Sequence, residues 1–366
     1  YPNRTTSIRY AGKLTWQANP AANVELSVFG DPTKSDVVGS LPAGISTVSD
    51  PTSLLAQIKS GGTVASLRST WTPSRSVLLQ ASLARQWDQL SYQPVDASPT
   101  YTDYVEGTIS GGAGGVALED RGRTTVAMRG SLMGSRHTAV AGFEYEDVMT
   151  TSDWYVEKNY RWTDSLWFRD YEAFKGTFHN RSPAAYLQDT WRITNQVALN
   201  AGLRWSGQYL VGASGNTDQR ITDEWQPRAG FSWQLRKDGS QRVFGSYGRF
   251  YQMLPTNIPV LLLVDYTALF SYYSSDPRVP GAVPDAVVDA SSLESDFATQ
   301  IPGLTAENSD EFTLGYERLL GPSSKLTIRG VRRQLRSSFE WGIDLSRDFI
   351  WVLGTPGKGD FDFLPA

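Results

Sequence analysis

Few residues in this 366-residue chain suit metal or nucleophilic chemistry, and their spacing favours neither. There are two histidines, His137 and His179, and no cysteine. Neither histidine has a second imidazole or a carboxylate at ligand spacing, so each reads as a surface residue and no metal site is expected. The stretch DPTKSD at 31–36 and the acids Asp285, Asp289, Glu294 and Asp296 could hold calcium, but solvated loop carboxylates are their ordinary state. Gly111-Gly112-Ala113-Gly114-Gly115 lacks the Lys-Ser/Thr and helix of a phosphate loop, and reads as a mobile loop. No nucleophile and base stand out. The chain is therefore expected not to be an enzyme, with no catalytic residue and no cofactor.

Recognition chemistry is better represented. WYVEKNYRWTDSLWFRDYEAF, residues 154–174, interleaves eight aromatics with charges. Tyr and Trp give rigid contact area at binding surfaces. Trp154, Tyr155, Tyr160, Trp162, Trp167, Phe168 and Tyr171 are the candidate ligand or partner contacts, packing on a rim being the alternative. A second stretch, IPVLLLVDYTALFSYY at 258–273, is too short to span a bilayer and could fold inward, lie at an interface or dock a partner.

The elements that must position these residues are strands. Val197, Leu199, Ala201, Leu203, Trp205 and Tyr209 share one parity; Ala198, Asn200, Gly202, Arg204, Ser206 and Gln208 share the other. Period 2 means a strand with one apolar and one polar face. Similar runs come in pairs across short turns: 8–16 with 24–29, 64–71 with 77–85, 124–132 with 139–145, 185–192 with 197–209, 228–235 with 243–251, and 312–319 with 326–333. Asn, Pro, Asp and Gly at the tips are hairpin chemistry. That gives about 12 strands, most near the ~10 residues a tilted strand needs to cross a bilayer.

The connections at the other end are long: roughly 31–61, 91–119, 153–181, 211–224 and 253–307. Short turns at one end and long loops at the other typify outer-membrane barrels. A soluble β-sandwich seldom sorts its loops so strictly. Mean hydropathy is negative and no apolar run suits a membrane helix, yet alternating strands hide their hydrophobicity. A net charge of -4 carries no nucleic-acid signature, and none is expected as a partner. Aromatics close the apolar parity, as where lipid meets water. The expected fold is all-β: an antiparallel transmembrane β-barrel with short periplasmic turns and long extracellular loops. Val197, Leu199, Leu203 and Trp205 are expected to face lipid, and Asn200, Arg204 and Gln208 the lumen.

Several stretches resemble a known family. AAYLQDTWRITNQVALNAGLRW (184–205) looks like the mid-barrel hairpin of TonB-dependent outer-membrane receptors, where Gln-Asp-x-Trp precedes Leu-Asn-x-Gly-Leu-Arg. QPRAGFSWQL with VFGSYGRFYQ resembles the next hairpin, and ENSDEFTLGYERLLG a strand nearer the C-terminus. YAGKLTWQANP, ELSVFGDPT and RHTAVAGFEYE are similar to the Oar-like branch, whose members carry a carboxypeptidase-regulatory-like domain. The resemblance implies a bacterial outer-membrane location, lipid contact, substrate binding at extracellular loops and import driven by TonB.

Such receptors have about 22 strands around a plug. Neither a plug nor a TonB box is seen here, and the stretch after Arg333 shows no return strand. Residues 1–366 are therefore expected to form part of one barrel domain, about 12 strands of ~22, without plug or closing C-terminal strands. Alternative functions are a structural or partner-binding barrel in an outer-membrane secretion or surface assembly, and a passive channel.

Overall fold

The computed structural model describes residues 3–254, 265–291, 303–344, 350–358 and 363–365. Twelve long strands dominate. We label them β1 (Tyr10–Asn19), β2 (Ala22–Gly30), β3 (Gly62–Ser74), β4 (Val77–Pro94), β5 (Gly115–Met133), β6 (His137–Thr163), β7 (Leu166–Arg192), β8 (Val197–Val211), β9 (Thr217–Gln234), β10 (Gln241–Tyr251), β11 (Asn308–Leu319) and β12 (Lys325–Ser337). Each pairs antiparallel with the next. They occupy the positions that alternation predicts, and the six short turns lie at one end.

The register explains the alternation. Leu14, Leu26, Leu67, Leu83, Val126 and Tyr145 are successive direct partners across β1 to β6. Leu187 and Leu203, Trp205 and Trp225, and Leu199 and Phe231 continue the same face. Its leucines are open: Leu14 is 65% exposed and Leu187 63%. The opposite face carries cross-strand ion pairs, including Lys13–Glu25 at 2.6 Å, Arg123–Glu146 at 2.6 Å and Arg333–Glu311 at 2.6 Å.

The expected transmembrane barrel is not what forms. The sheet is neither closed nor strongly curled. Among the described residues β1 has a long-strand partner only in β2, and β12 only in β11. Closure requires a ladder between first and last strands, and these two edges do not meet. Two of the short pairings, Thr108–Gly111 with Thr47–Val48 and Thr100–Asp103 with β6, are parallel.

The expected long loops also differ. β6 and β7 run 27 residues each, to a turn at Asp164-Ser165. Their ladder continues without a bulge from His137 to Arg161. The 153–181 connection is thus strand rather than loop. Backbone pairing needs no side-chain alternation, and beyond the apolar band both faces are polar and aromatic, so no period-2 signal survives. The 31–61 connection likewise holds strands Thr33–Val38 and Leu55–Ser60. Of 258–273, residues 258–264 lie outside those described, while Asp265–Tyr273 is a strand on the upper half of β7.

Close packing is concentrated at this distal end. Tyr101, Trp167, Phe174, Phe178, Leu210, Ile221 and Tyr273 are buried there. The Gly111–Gly115 run is a packed corner rather than a mobile loop: a Cβ on Gly111 (φ +80) would meet the Pro99 carbonyl oxygen at 2.4 Å. Gly61 (φ +83) turns the chain into β3, and a Cβ there would meet the Asp31 carbonyl oxygen at 2.5 Å. Gly61→Ala should therefore destabilise by more than about 1 kcal/mol. Gly321→Ala, where nothing lies within 4 Å, should be near neutral. Thermal unfolding of both variants checks this.

Candidate functional site

The seven aromatics singled out in 154–174 lie on the upper β6–β7 hairpin, but not on one surface. Trp154 and Tyr160 of β6 pair directly with Phe174 and Phe168, and the Trp162 ring stacks on Phe168, so Trp154, Tyr160, Trp162 and Phe168 share one face. Tyr155, Trp167 and Tyr171 share the other. A strand sends successive side chains to opposite sides, so the continuous sequence makes two distinct surfaces.

The first surface is an aromatic strip centred on Phe168. Its ring lies 5.3 Å from Trp162, 5.9 Å from Tyr160, 6.0 Å from Phe270 and 5.1 Å from Tyr272. Trp154 and Phe174 meet edge-on at 6.3 Å, and Tyr104 stacks on Tyr160 at 6.3 Å. Burial, then the nearby Asp170 charge, pushes the Tyr160 phenol up to about 12.

The second surface is a cation–aromatic stack. Tyr101 and Trp167 lie 5.5 Å apart. The Arg278 guanidinium sits 3.8 Å above Tyr101, and that of Arg161 5.2 Å above Trp167. Arg161 pairs with Asp103 at 3.1 Å, and Arg278 with Asp276 at 2.7 Å. Asp103 also accepts the Val105 and Glu106 backbone N–H groups. Those bonds and Arg161 together outweigh burial and hold its carboxyl below the usual range. Burial raises the Tyr101 phenol. Every charge in this stack has a partner, so it fastens strands 100–103 and 265–273 to the hairpin. Tyr155 and Tyr171 are absent from its ring contacts.

Tyr101, Tyr104, Phe270, Tyr272 and Arg278 were not legible from the 154–174 stretch. The available signal was the parity of Tyr266, Ala268, Phe270 and Tyr272 within YTALFSYY, which marks a strand with an aromatic face.

Val197, Leu199, Leu203 and Trp205 share the apolar face of β8, opposite Asn200, Arg204 and Gln208. Leu199 is 37% and Leu203 45% exposed. Arg204 pairs with Glu144 at 2.8 Å, and Asn200 accepts a 2.8 Å bond from Thr190. Gln208 differs from both. It is buried, accepts from Asn180 at 3.2 Å and from the Leu254 backbone N–H at 2.8 Å, and donates to Glu224 at 2.6 Å. Ser206 also donates to Glu224, at 2.6 Å.

The histidines are structural in the same sense: His137 Nδ1 lies 2.7 Å from Asp189, and His179 Nδ1 2.9 Å from Asp147. Asp36 accepts from Gln57, and Asp289 from the Ser291 backbone N–H. Glu294 and Asp296 lie outside the described residues. Among the described residues, no group of three or more potential ligands could hold a metal. Because the Gln208 network is closed, Glu224→Ala should cost about 1–3 kcal/mol by stranding buried donors, while Glu224→Gln should cost less. Denaturant titration of the two variants separates these outcomes.

Comparison with known proteins agrees on the fold. A search of curated proteins gives the TonB-dependent transporter Oar of Myxococcus xanthus, 27% identical over 206 residues, covering 48% of this chain and 19% of that protein. Among solved structures, the outer membrane transporter YddB from Escherichia coli aligns with a TM-score of 0.60 at 13% identity, over 96% of this chain and 43% of that one. The siderophore receptor PirA from Acinetobacter baumannii gives 0.57 at 12%, over 99% and 49%. The chain thus spans under half the length of each. Residues 3–336 match the family described as TonB dependent receptor-like, beta-barrel, and the chain belongs to that family.

Proposed function

We propose that this chain is the strand region of an outer-membrane receptor that takes a substrate at the distal ends of its strands for TonB-dependent import. The family is one of transport proteins rather than enzymes. The observation that carries the reading is the register row from Leu14 to Leu83, whose four leucines are all exposed, set against a face of cross-strand ion pairs. A large uncovered apolar face is unfavourable in water and suits lipid. In this reading Val197, Leu199, Leu203 and Trp205 contact outer-membrane lipid, and Asn200, Arg204 and Gln208 face the aqueous or protein side. The short turns are periplasmic and the long β6–β7 hairpin extracellular.

An unpaired backbone group costs several kcal/mol in hydrocarbon, so the open edges of β1 and β12 pair with strands outside this sheet. The likeness to Oar supports an Oar-like branch. Recognition falls to the aromatic strip, with Trp154, Tyr160, Trp162 and Phe168 as the ligand contacts. Tyr155, Trp167 and Tyr171, on the reverse surface, serve the same end by holding or extending it.

Substitution across the parity tests the lipid contact. An arginine on a lipid face costs about 2–4 kcal/mol at the midplane and less toward either interface. Leu199→Arg should therefore impair insertion of the full-length protein into the outer membrane, while Asn200→Arg should be mild. Fractionation and folding assays read both. Equal tolerance at the two positions would contradict the assignment.

A further inference from the structure

The aromatic strip also carries charge. On β7, Asp170 and Glu172 stand between Phe168 and Phe174 on the same face. Lys158 is the direct partner of Asp170 on β6, and Phe270 its partner on the other side. Tyr266 donates to Glu172 at 3.1 Å. One oxygen of Asp170, Oδ1, is buried without a hydrogen-bond partner, and among the described residues Lys158 forms no ion pair with it. Two carboxylates against one ammonium leave the strip net negative. Trp162 beside it is 48% exposed.

These features select a class of ligand. Ring faces carry the negative lobe of the aromatic quadrupole and attract cations, most strongly when water is excluded. The surplus carboxylate attracts the same charge. Arginine satisfies both, because its guanidinium stacks on rings and donates in a fork to a carboxylate. A neutral glycan would use the rings and leave the carboxylate surplus uncompensated. We propose that the face formed by Tyr160, Trp162, Phe168, Asp170, Glu172 and Tyr272 binds the arginine or lysine side chains of a basic peptide segment. This rests on the reading of the distal hairpin as the recognition end.

The expected pH response follows from the surroundings. Glu172 faces Asp170 from its own strand, Lys158 and Tyr160 from β6, and Tyr266 and Tyr272 from the strand beyond. Burial first, and then the charge of Glu172, pushes the Asp170 carboxyl up to about 6. Lowering pH through that value protonates it, removes the surplus negative charge and weakens binding of a cation. Lysine and arginine keep their charge throughout this range.

The test uses the full-length protein in detergent micelles, with a penta-arginine peptide as probe and calorimetry and tryptophan fluorescence as readouts. Wild type should bind, more weakly at pH 5 than at pH 7. The isosteric double variant Asp170→Asn with Glu172→Gln, and separately Phe168→Ala, should each weaken binding about tenfold or more, the scale of one desolvated cation contact. Asp120→Asn, an exposed carboxylate on β5 on the other face of the sheet, should leave it within about twofold. Near-UV circular dichroism confirms that each variant is folded. Equal losses in the double variant and in Asp120→Asn would mean general charge attraction and overturn the proposal, as would no binding to wild type. A neutral maltooligosaccharide separates the two levels. If it binds through Phe168 while the peptide does not, the ligand class falls and the recognition end stands. If neither probe depends on Phe168, both fall.

Discussion

The backbone ladder constrains everything else in this protein. Because each strand is hydrogen-bonded in register to the next, parity on one strand fixes parity on all of them. Leu14 therefore shares a face with Leu83, and Leu83 with Tyr145, although each belongs to a different hairpin. A slip of one residue anywhere would turn a set of leucines and tryptophans onto the face that holds Glu144 with Arg204 and Glu311 with Arg333. The ion pairs and the apolar rows thus specify the same register from opposite sides.

The same ladder carries the sheet beyond its apolar band, where the energetics change. Below, one face is apolar and uncovered. Above, β6 and β7 hold aromatic rings on both sides, and shorter strands from the 100–111 and 265–289 regions pack against them. Burial is concentrated here, as in the Tyr101, Trp167 and Tyr273 cluster. The Gln208–Glu224 network and the Arg161–Asp103 pair give buried polar groups the partners they need. The result is a packed platform built on a strand pair rather than a loop.

Strand positions were legible in the sequence where one face is apolar and the other polar. Val197 to Tyr209 illustrates this, and so do the other hairpins of the band. Legibility ended where that contrast ended. Residues 153–181 look irregular because Trp154 and Tyr155, or Trp167 and Phe168, are adjacent aromatics that point to opposite faces. The seven aromatics were grouped by their closeness in sequence, which does not tell that the strand divides them between two faces. The barrel expectation failed for a different reason: closure depends on whether two edges far apart in sequence meet, and no local pattern encodes that. Tyr101 and Arg278, joined in the structure by a 3.8 Å stacking contact, are likewise too distant in sequence to be paired by inspection.

The assignment of the two faces is most directly measured by cysteine scanning along Val197 to Trp205, since the chain has no native cysteine. Single cysteines in the full-length protein would be probed in membranes with a water-soluble maleimide and, after spin labelling, with a lipid-confined relaxation agent. Protection from maleimide and strong relaxation should appear at 197, 199, 203 and 205, with the reverse at 200 and 204. A profile without period 2, or one with the two sets exchanged, would contradict a lipid-facing apolar row.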